Sequence, residues 1–142
     1  MLTKAIIREL GEIVGPQHVL TSPEDLVAYS YDGTFVEHCP DAVVSPVTTD
    51  EVSRVMQVAF REEIPLVPRG MASGLAAASV PASGGLVLCL TRMNKVLNID
   101  MLNMTAQVEA GVVTADLQAQ AESMGLFYPP DPSSIKHSVV SL

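Results

Sequence analysis

Tryptophan is absent and only three Phe and three Tyr occur in 142 residues, so stacked aromatics cannot build the core and aliphatic side chains must fill it. The two cysteines, Cys39 and Cys89, have no second thiol pair near either of them. That spacing excludes a Cys-x-x-Cys redox centre and a paired-cysteine zinc site, and both residues are expected as reduced, part-buried thiols. Basic residues are scarce, with eight Lys and Arg against sixteen Asp and Glu for a net charge of −8. A mean field of that sign repels polyanions and argues against a nucleic-acid partner or an anionic membrane surface. No apolar run approaches the roughly 20 residues that cross a bilayer. Met1 to Gly11 mixes acids and bases where a secretory leader needs an apolar centre. The expected location is therefore the cytoplasm, without membrane insertion. His18, His38 and His137 are isolated, and His38 beside Cys39 is no nucleophile pair, because neighbours in an extended segment point to opposite faces.

What is present describes one globular domain: 48% hydrophobic and 17% charged residues, in a chain long enough to bury a core. Thr3 is placed to cap a first helix with Ile6, Ile7, Leu10, Ile13 and Val14 on one stripe, ended by Gly15 and Pro16. Ser22, Pro23, Glu24 and Asp25 supply an N-cap, a proline at the first helical position and an acidic first turn for a short helix through Tyr29. Residues 31–41 read as loop. Ala42 to Ser45 forms a brief apolar strand closed by Pro46. Thr48 and Glu51 are spaced as a capping box for a helix with Val52, Val55, Met56, Ala59 and Phe60 inward, and Leu66-Val67 begins another buried strand after Pro65. A strand, helix, strand run over 42–68 predicts parallel strands. Leu86 to Leu90 reads as a third strand, and Val96–Ile99 with Thr105–Glu109 as an antiparallel hairpin. Thr114 is positioned to cap a last helix with Leu117, Ala121 and Met124 inward, stopped by Gly125. The expected class is α+β, a parallel β-α-β lobe followed by a mainly antiparallel lobe with helices.

Two segments carry chemistry. Arg69-Gly70-Met71-Ala72-Ser73-Gly74-Leu75 directly follows a strand, and a glycine-bearing turn there can aim consecutive backbone N–H groups at one anion. The Ser73 hydroxyl and the Arg69 guanidinium can add charge-assisted bonds. It is neither Gly-x-Gly-x-x-Gly nor the lysine-bearing phosphate loop, so taken alone an ordinary turn and a surface or ion-paired arginine are the better explanation. Pro129-Pro130-Asp131-Pro132-Ser133-Ser134 fixes φ at its prolines and removes their donors, giving a stiff connection that is either a rigid surface loop or a ligand wall.

Together and in this order, the two segments resemble the FAD-linked oxidases with the vanillyl-alcohol-oxidase (PCMH) type of FAD-binding domain, in particular the N-terminal part of the glycolate oxidase and D-lactate dehydrogenase flavoprotein subunits. Further matching pieces are Tyr31-Asp32-Gly33, Pro65 to Gly70, Gly74-Leu75, Val80-Pro81, Arg92 to Lys95, Gly111 to Leu117 and Gly125 to Tyr128. The resemblance implies FAD as cofactor. It implies that Arg69, Gly70, Met71, Ala72, Ser73, Gly74 and Leu75 wrap its pyrophosphate, with Ala78 and Ser79 as further main-chain contacts. Pro130, Asp131, Pro132, Ser133 and Ser134 would line the flavin end. Three glycines of the family's loop are replaced by Ala72, Ala77 and Ala78 here. Any of these that must take positive φ costs on the order of 1–2 kcal/mol, so weak FAD binding is expected.

The resemblance further implies residues 1–22 as a helical lead-in and 23–142 as an incomplete FAD-binding domain. The sequence Val139 to Leu142 departs from the family's next segment, and the substrate-binding cap with its catalytic groups is expected to be missing. No residue is nominated as a catalytic base and no metal ligand is assigned. The function implied is the FAD-binding portion of a 2-hydroxy-acid oxidoreductase acting on compounds such as glycolate or D-lactate, with further oxidase subunits as partners. The alternative is a flavin-free remnant that associates with itself or a related subunit.

Overall fold

A computed structural model describes residues 2–140; the expectations for Met1, Ser141 and Leu142 fall outside them. The chain runs α1 (Lys4–Val14), β1 (Val19–Leu20), α2 (Pro23–Val27), β2 (Ala42–Val44), α3 (Thr49–Arg61), β3 (Leu66–Arg69), β4 (Leu86–Cys89), β5 (Val96–Asp100), β6 (Thr105–Val108) and α4 (Thr114–Ser123). Strands β1 to β4 form one sheet in the order β1-β2-β4-β3, and β5-β6 form a separate antiparallel hairpin. The α+β arrangement with a parallel part followed by an antiparallel part is therefore present.

The strand, helix, strand unit over 42–68 is parallel as expected, but its two strands are not neighbours. β4 inserts between them, parallel to both, with Val87 opposite Val43 on one side and Val67 on the other. β4 is the segment able to take the centre: Leu86, Val87, Leu88 and Cys89 are all buried, so both faces are apolar. Pro68, which lacks an N–H, falls on the edge strand β3, where its missing donor costs no ladder bond on the open side. β1, not anticipated from the sequence, adds an antiparallel edge beside β2.

Each sheet face has its own cover. Ala42, Val44, Leu86 and Leu88 point to one side and pack with Leu10 and Val14 of α1 and Val55, Val58 and Ala59 of α3. Val43, Val87 and Cys89 point to the other and pack with Leu26 of α2, Leu20 and Tyr29. Arg61 of α3 reaches across to Glu9 of α1 with both nitrogens of its fork, at 3.1 and 2.7 Å, tying the two helices on the first face.

The helix caps largely follow their side chains. Thr3, Ser22 and Thr48 accept from the amides of Ile6, Asp25 and Glu51 at the starts of α1, α2 and α3. The Glu51 carboxylate in turn accepts from the Val47 amide at 2.7 Å, one residue before the N-cap. Five sequence expectations need correction. α2 stops at Val27 and does not reach Tyr29. On α3 the buried arc is Val55, Val58 and Ala59, while Met56 and Phe60 are exposed, Phe60 at 87%, because α1 and the sheet together take the side centred on Val58. Thr114 does not cap α4; Val113 holds that position, and Thr114 is the first helical residue with its hydroxyl on the Ser138 carbonyl at 3.1 Å. Met124 lies outside the buried stripe of Leu117 and Ala121, and Cys39 is exposed while Cys89 is buried.

Candidate functional site

β3 delivers the chain to Arg69 and Gly70, both buried, at the carboxyl end of the parallel strands. In open sheets of this kind ligands bind beyond the carboxyl ends, where the loops leave the sheet. The loop that leaves here, Met71 to Ser79, is largely exposed, with Leu75 80% accessible. Among the described residues no backbone amide from Met71 to Ala78 donates a hydrogen bond, and the Ser73 hydroxyl has no partner. Exposed amides lose little by being left to water, and a succession of them on one turning segment is a surface for an anion.

Two residues of this loop adopt the left-handed conformation without being glycine: Ala72 at φ 53° and Ala77 at φ 54°. Ala78, the third alanine at a family glycine position, does not. Each of the two carries the cost of a Cβ crowding its own carbonyl, on the order of 1–2 kcal/mol. The loop is shaped like a glycine-rich turn but built from residues that oppose that shape.

The guanidinium of Arg69 does not extend into the loop's exposed face. Register places Arg69 beside Cys89 on the α2 side of the sheet. There Nη2 donates to the Ala28 carbonyl at 3.3 Å, and Nη1 donates to the carbonyls of Ser79 at 3.3 Å and Tyr29 at 3.5 Å. The cation also lies 5.5 Å from the centroid of the Tyr29 ring. Burial pushes the guanidinium below its ordinary pKa, against the opposing fields of Cys89, Tyr29 and Asp32. Among the described residues no carboxylate is in ion-pair range of it. Carbonyl oxygens satisfy this cation, so its fork is spent within the protein.

Asp32 adjoins the same loop. Its Oδ1 accepts from the Thr34 amide at 2.8 Å and the Thr34 hydroxyl at 2.6 Å, while its Oδ2 is buried without a hydrogen-bond partner. Those Thr34 bonds hold its pKa below the ordinary carboxylate value, with smaller help from the Arg69 charge and the Ser79 amide. At Gly33 a Cβ would fall 2.9 Å from the Gly74 carbonyl oxygen and 2.8 Å from the Leu75 side chain. The chain at Asp32 and Gly33 therefore lies directly against the loop. Tyr29, Asp32 and Gly33 were not named as site residues from the sequence; the Tyr31-Asp32-Gly33 triplet was a signal for the last two, and Tyr29 had none.

The proline segment occupies a different neighbourhood. Pro129 to Ser133 are exposed, and the hydroxyls of Ser133 and Ser134 have no partner among the described residues. The turn that follows closes over α4: the Thr114 and Ala115 amides donate to the carbonyls of Ser138 at 3.0 Å and Ile135 at 3.1 Å. The first amides of α4 are thus occupied and its N-terminus is no anion site. Among the described residues no hydrogen bond joins Pro129–Ser134 to Arg69–Ser79. A cavity of about 230 Å³ between the β5-β6 hairpin and α4, lined by Ile99, Val108, Leu117, Leu126 and Phe127 among others, includes residues of neither segment. No group of three or more His, Cys, Asp or Glu among the described residues could hold a metal ion.

The chain is 43% identical over 141 residues to the glycolate oxidase subunit GlcD of Bacillus subtilis and 38% identical over 141 residues to the D-2-hydroxyglutarate dehydrogenase of Stutzerimonas stutzeri, covering 99% of this chain and 30% of each relative. The D-lactate dehydrogenase of Anaerostipes hadrus is 34% identical over 92% of this chain and 28% of its own length. The chain thus spans about 30% of the length of such relatives. Among solved structures, alkyldihydroxyacetonephosphate synthase superposes with a TM-score of 0.88 at 24% identity, over 99% of this chain and 31% of that one, which speaks to the fold alone. The 4-ethylphenol oxidase of Gulosibacter chungangensis superposes at 0.80 with 26% identity, over 96% of this chain and 27% of that one. The family model described as FAD binding domain matches residues 40–141, the greater part of the sequence, and this chain belongs to that family, with the vanillyl-alcohol-oxidase (PCMH) type of fold.

Proposed function

We propose that this chain binds FAD by wrapping the cofactor's pyrophosphate in the main chain of Gly70 to Ala78, as the nucleotide-binding portion of a 2-hydroxy-acid oxidoreductase. The observation that carries the reading is the succession of undonated amides from Met71 to Ala78 at the carboxyl end of a parallel strand. Met71, Ala72, Ser73, Gly74, Leu75 and Ala78 contribute through backbone N–H groups, and the Ser73 hydroxyl adds one donor. Pro130, Asp131, Pro132, Ser133 and Ser134 form a stiff wall whose serine hydroxyls are free for polar contacts. Residues 23–142 act as the FAD-binding unit, with residues 1–22 leading into it. When bound, the flavin supplies the capacity to accept a hydride equivalent; the protein's part is to hold and orient it. A small 2-hydroxy acid is the substrate class suggested by relatives named for glycolate, D-lactate and D-2-hydroxyglutarate. Electrons then pass to an acceptor or a partner subunit.

Titration with FAD tests this. Saturable quenching of flavin fluorescence is expected at micromolar to sub-millimolar concentration, and no quenching at near-millimolar FAD overturns the proposal. A second reading, a flavin-free module that associates with its own copies or a related subunit, is favoured by the exposure of Phe35, Phe60, Leu102 and Phe127. A folded, colourless oligomer indifferent to FAD selects it.

A further inference from the structure

We infer that Arg69 is a positioning residue, which clasps the two ends of the nucleotide loop together from inside the protein and does not touch the ligand. The proposal rests on the FAD-binding reading for its consequence, but its physical content concerns the unliganded loop.

Arg69 opens the loop and Ser79 closes it. The Arg69 backbone is fixed in the sheet, since its carbonyl accepts from the Leu90 amide at 2.9 Å. Its side chain turns back and binds the Ser79 carbonyl at 3.3 Å. The arc from Gly70 to Ala78 is therefore closed at its base by a single side chain. The same fork holds the Ala28 and Tyr29 carbonyls just after α2, so loop and helix are fixed to one group. A planar fork can serve three carbonyls in different directions; an ammonium on a flexible stem cannot keep the same set at once.

Asp32 is also near the Ser79 end of the loop. The Ser79 amide contributes to lowering the Asp32 pKa, and Asp32 Oδ2 is buried without a hydrogen-bond partner. The Arg69 bond to the Ser79 carbonyl at 3.3 Å ties that residue to the sheet, and the Ser79 amide adds to the field at Asp32. Gly33 then brings the backbone against Gly74, near the crown of the arc. Ser79 is the fixed end of the loop and Met71 to Ala78 is its working part. A closed base is what a loop with left-handed Ala72 and Ala77 needs, because each of these residues would otherwise relax toward negative φ. The buried positive charge also sits at the Ser79 end of the segment proposed to receive a dianion, where burial strengthens attraction.

The test compares wild type with Arg69→Lys, Arg69→Met and Asp32→Asn, using backbone dynamics by 15N NMR and titrations with ADP and adenosine. The expected result for Arg69→Lys and Arg69→Met is a loss of heteronuclear NOE confined to residues 70–79, with amides of β2 and β4 unchanged. ADP affinity should fall about tenfold while adenosine affinity stays constant, since only the diphosphate uses the positioned amides. Asp32→Asn should give the same pattern, more weakly. Should Arg69→Met fail to fold, Arg69→Lys and Asp32→Asn carry the test unaided. Unchanged loop NOE values in folded Arg69→Lys, or equal losses for ADP and adenosine, overturn the clasp. A wild type that binds neither FAD nor ADP overturns the proposed function, whereas the NOE comparison still decides the clasp.

Discussion

Alanine in a left-handed conformation is a local conflict that single substitutions can relieve. Ala72 and Ala77 have φ of 53° and 54°, where glycine pays no Cβ penalty. Replacing either by glycine removes on the order of 1–2 kcal/mol of strain and costs roughly 0.5–1 kcal/mol in unfolded-chain entropy. Ala72→Gly and Ala77→Gly are therefore expected to leave the melting temperature unchanged or raised by a few degrees, and to tighten FAD several-fold if the bound loop keeps these angles. Calorimetry and fluorescence titration check the two parts separately. Ala78→Gly is the control: its φ is not positive, so it should lower stability slightly and gain no affinity. The opposite case is Gly85, at φ 81°, where a Cβ would lie 2.2 Å from the Pro65 carbonyl oxygen. That oxygen accepts the Leu86 amide where β4 begins, so Gly85→Ala must displace ladder backbone. A loss of about 3 kcal/mol or more is expected in chemical denaturation. The positions needing positive φ could be suspected from the sequence, but which of Ala72, Ala77 and Ala78 adopt it depends on the path of the folded loop.

At the level of elements, the helices show how far periodicity reaches. On α1 and at every side-chain cap except that of α4, local sequence dictated the outcome, because a cap bond spans three residues and needs no distant partner. On α3 the stripe was broad enough to admit two orientations, and packing against α1 selected the one centred on Val58. Phe60→Ser should accordingly change stability by no more than about 0.5 kcal/mol, whereas Val55→Ala in the core should cost about 2 kcal/mol, as read by denaturant midpoints. The β5-β6 turn is held by Asp100, whose Oδ1 accepts from the amides of Leu102 and Asn103 at 2.9 and 3.1 Å, and whose Oδ2 accepts from the Asn103 side chain at 2.7 Å. The Asn103 side-chain bond, then the backbone bonds, keep its pKa below the ordinary carboxylate value. A depressed pKa means that the stabilisation is complete above the unfolded value of about 4 and disappears as pH falls through the folded value. Amide shifts of residues 100–104 should thus stay constant from pH 7 to about 5 and move together below about 4. Movement already at pH 6 would contradict the assignment. At the start of α4 the sequence misled, since Thr114 resembles a cap while a turn more than twenty residues later in the chain supplies the carbonyls, Ile135 to Ala115 and Ser138 to Thr114.

For the whole molecule, the unevenness of cover is the informative property. The four-stranded sheet has helices on both faces, but the hairpin has only two strands and leaves Leu97, Leu102 and Met104 exposed. A two-stranded hairpin is marginal in water unless its apolar side is covered. Light scattering of the isolated chain is expected to give a mass above the 15.1 kDa monomer, and Leu102→Glu with Phe127→Glu should return it toward that value. Monomeric wild type at tens of micromolar would remove the association reading and leave FAD binding untouched. What the residues settled unaided was the family and the class, because glycine turns, proline stiffness, side-chain caps and short apolar strands act over a few neighbours. Only the folded chain decided that β4 occupies the centre of the sheet, that the Arg69 fork turns inward to the Ser79, Ala28 and Tyr29 carbonyls, and that Asp32 and Gly33 lie against the loop. Those outcomes depend on strand order and on side-chain direction across the sheet, which join positions tens of residues apart and leave no short-range pattern to read.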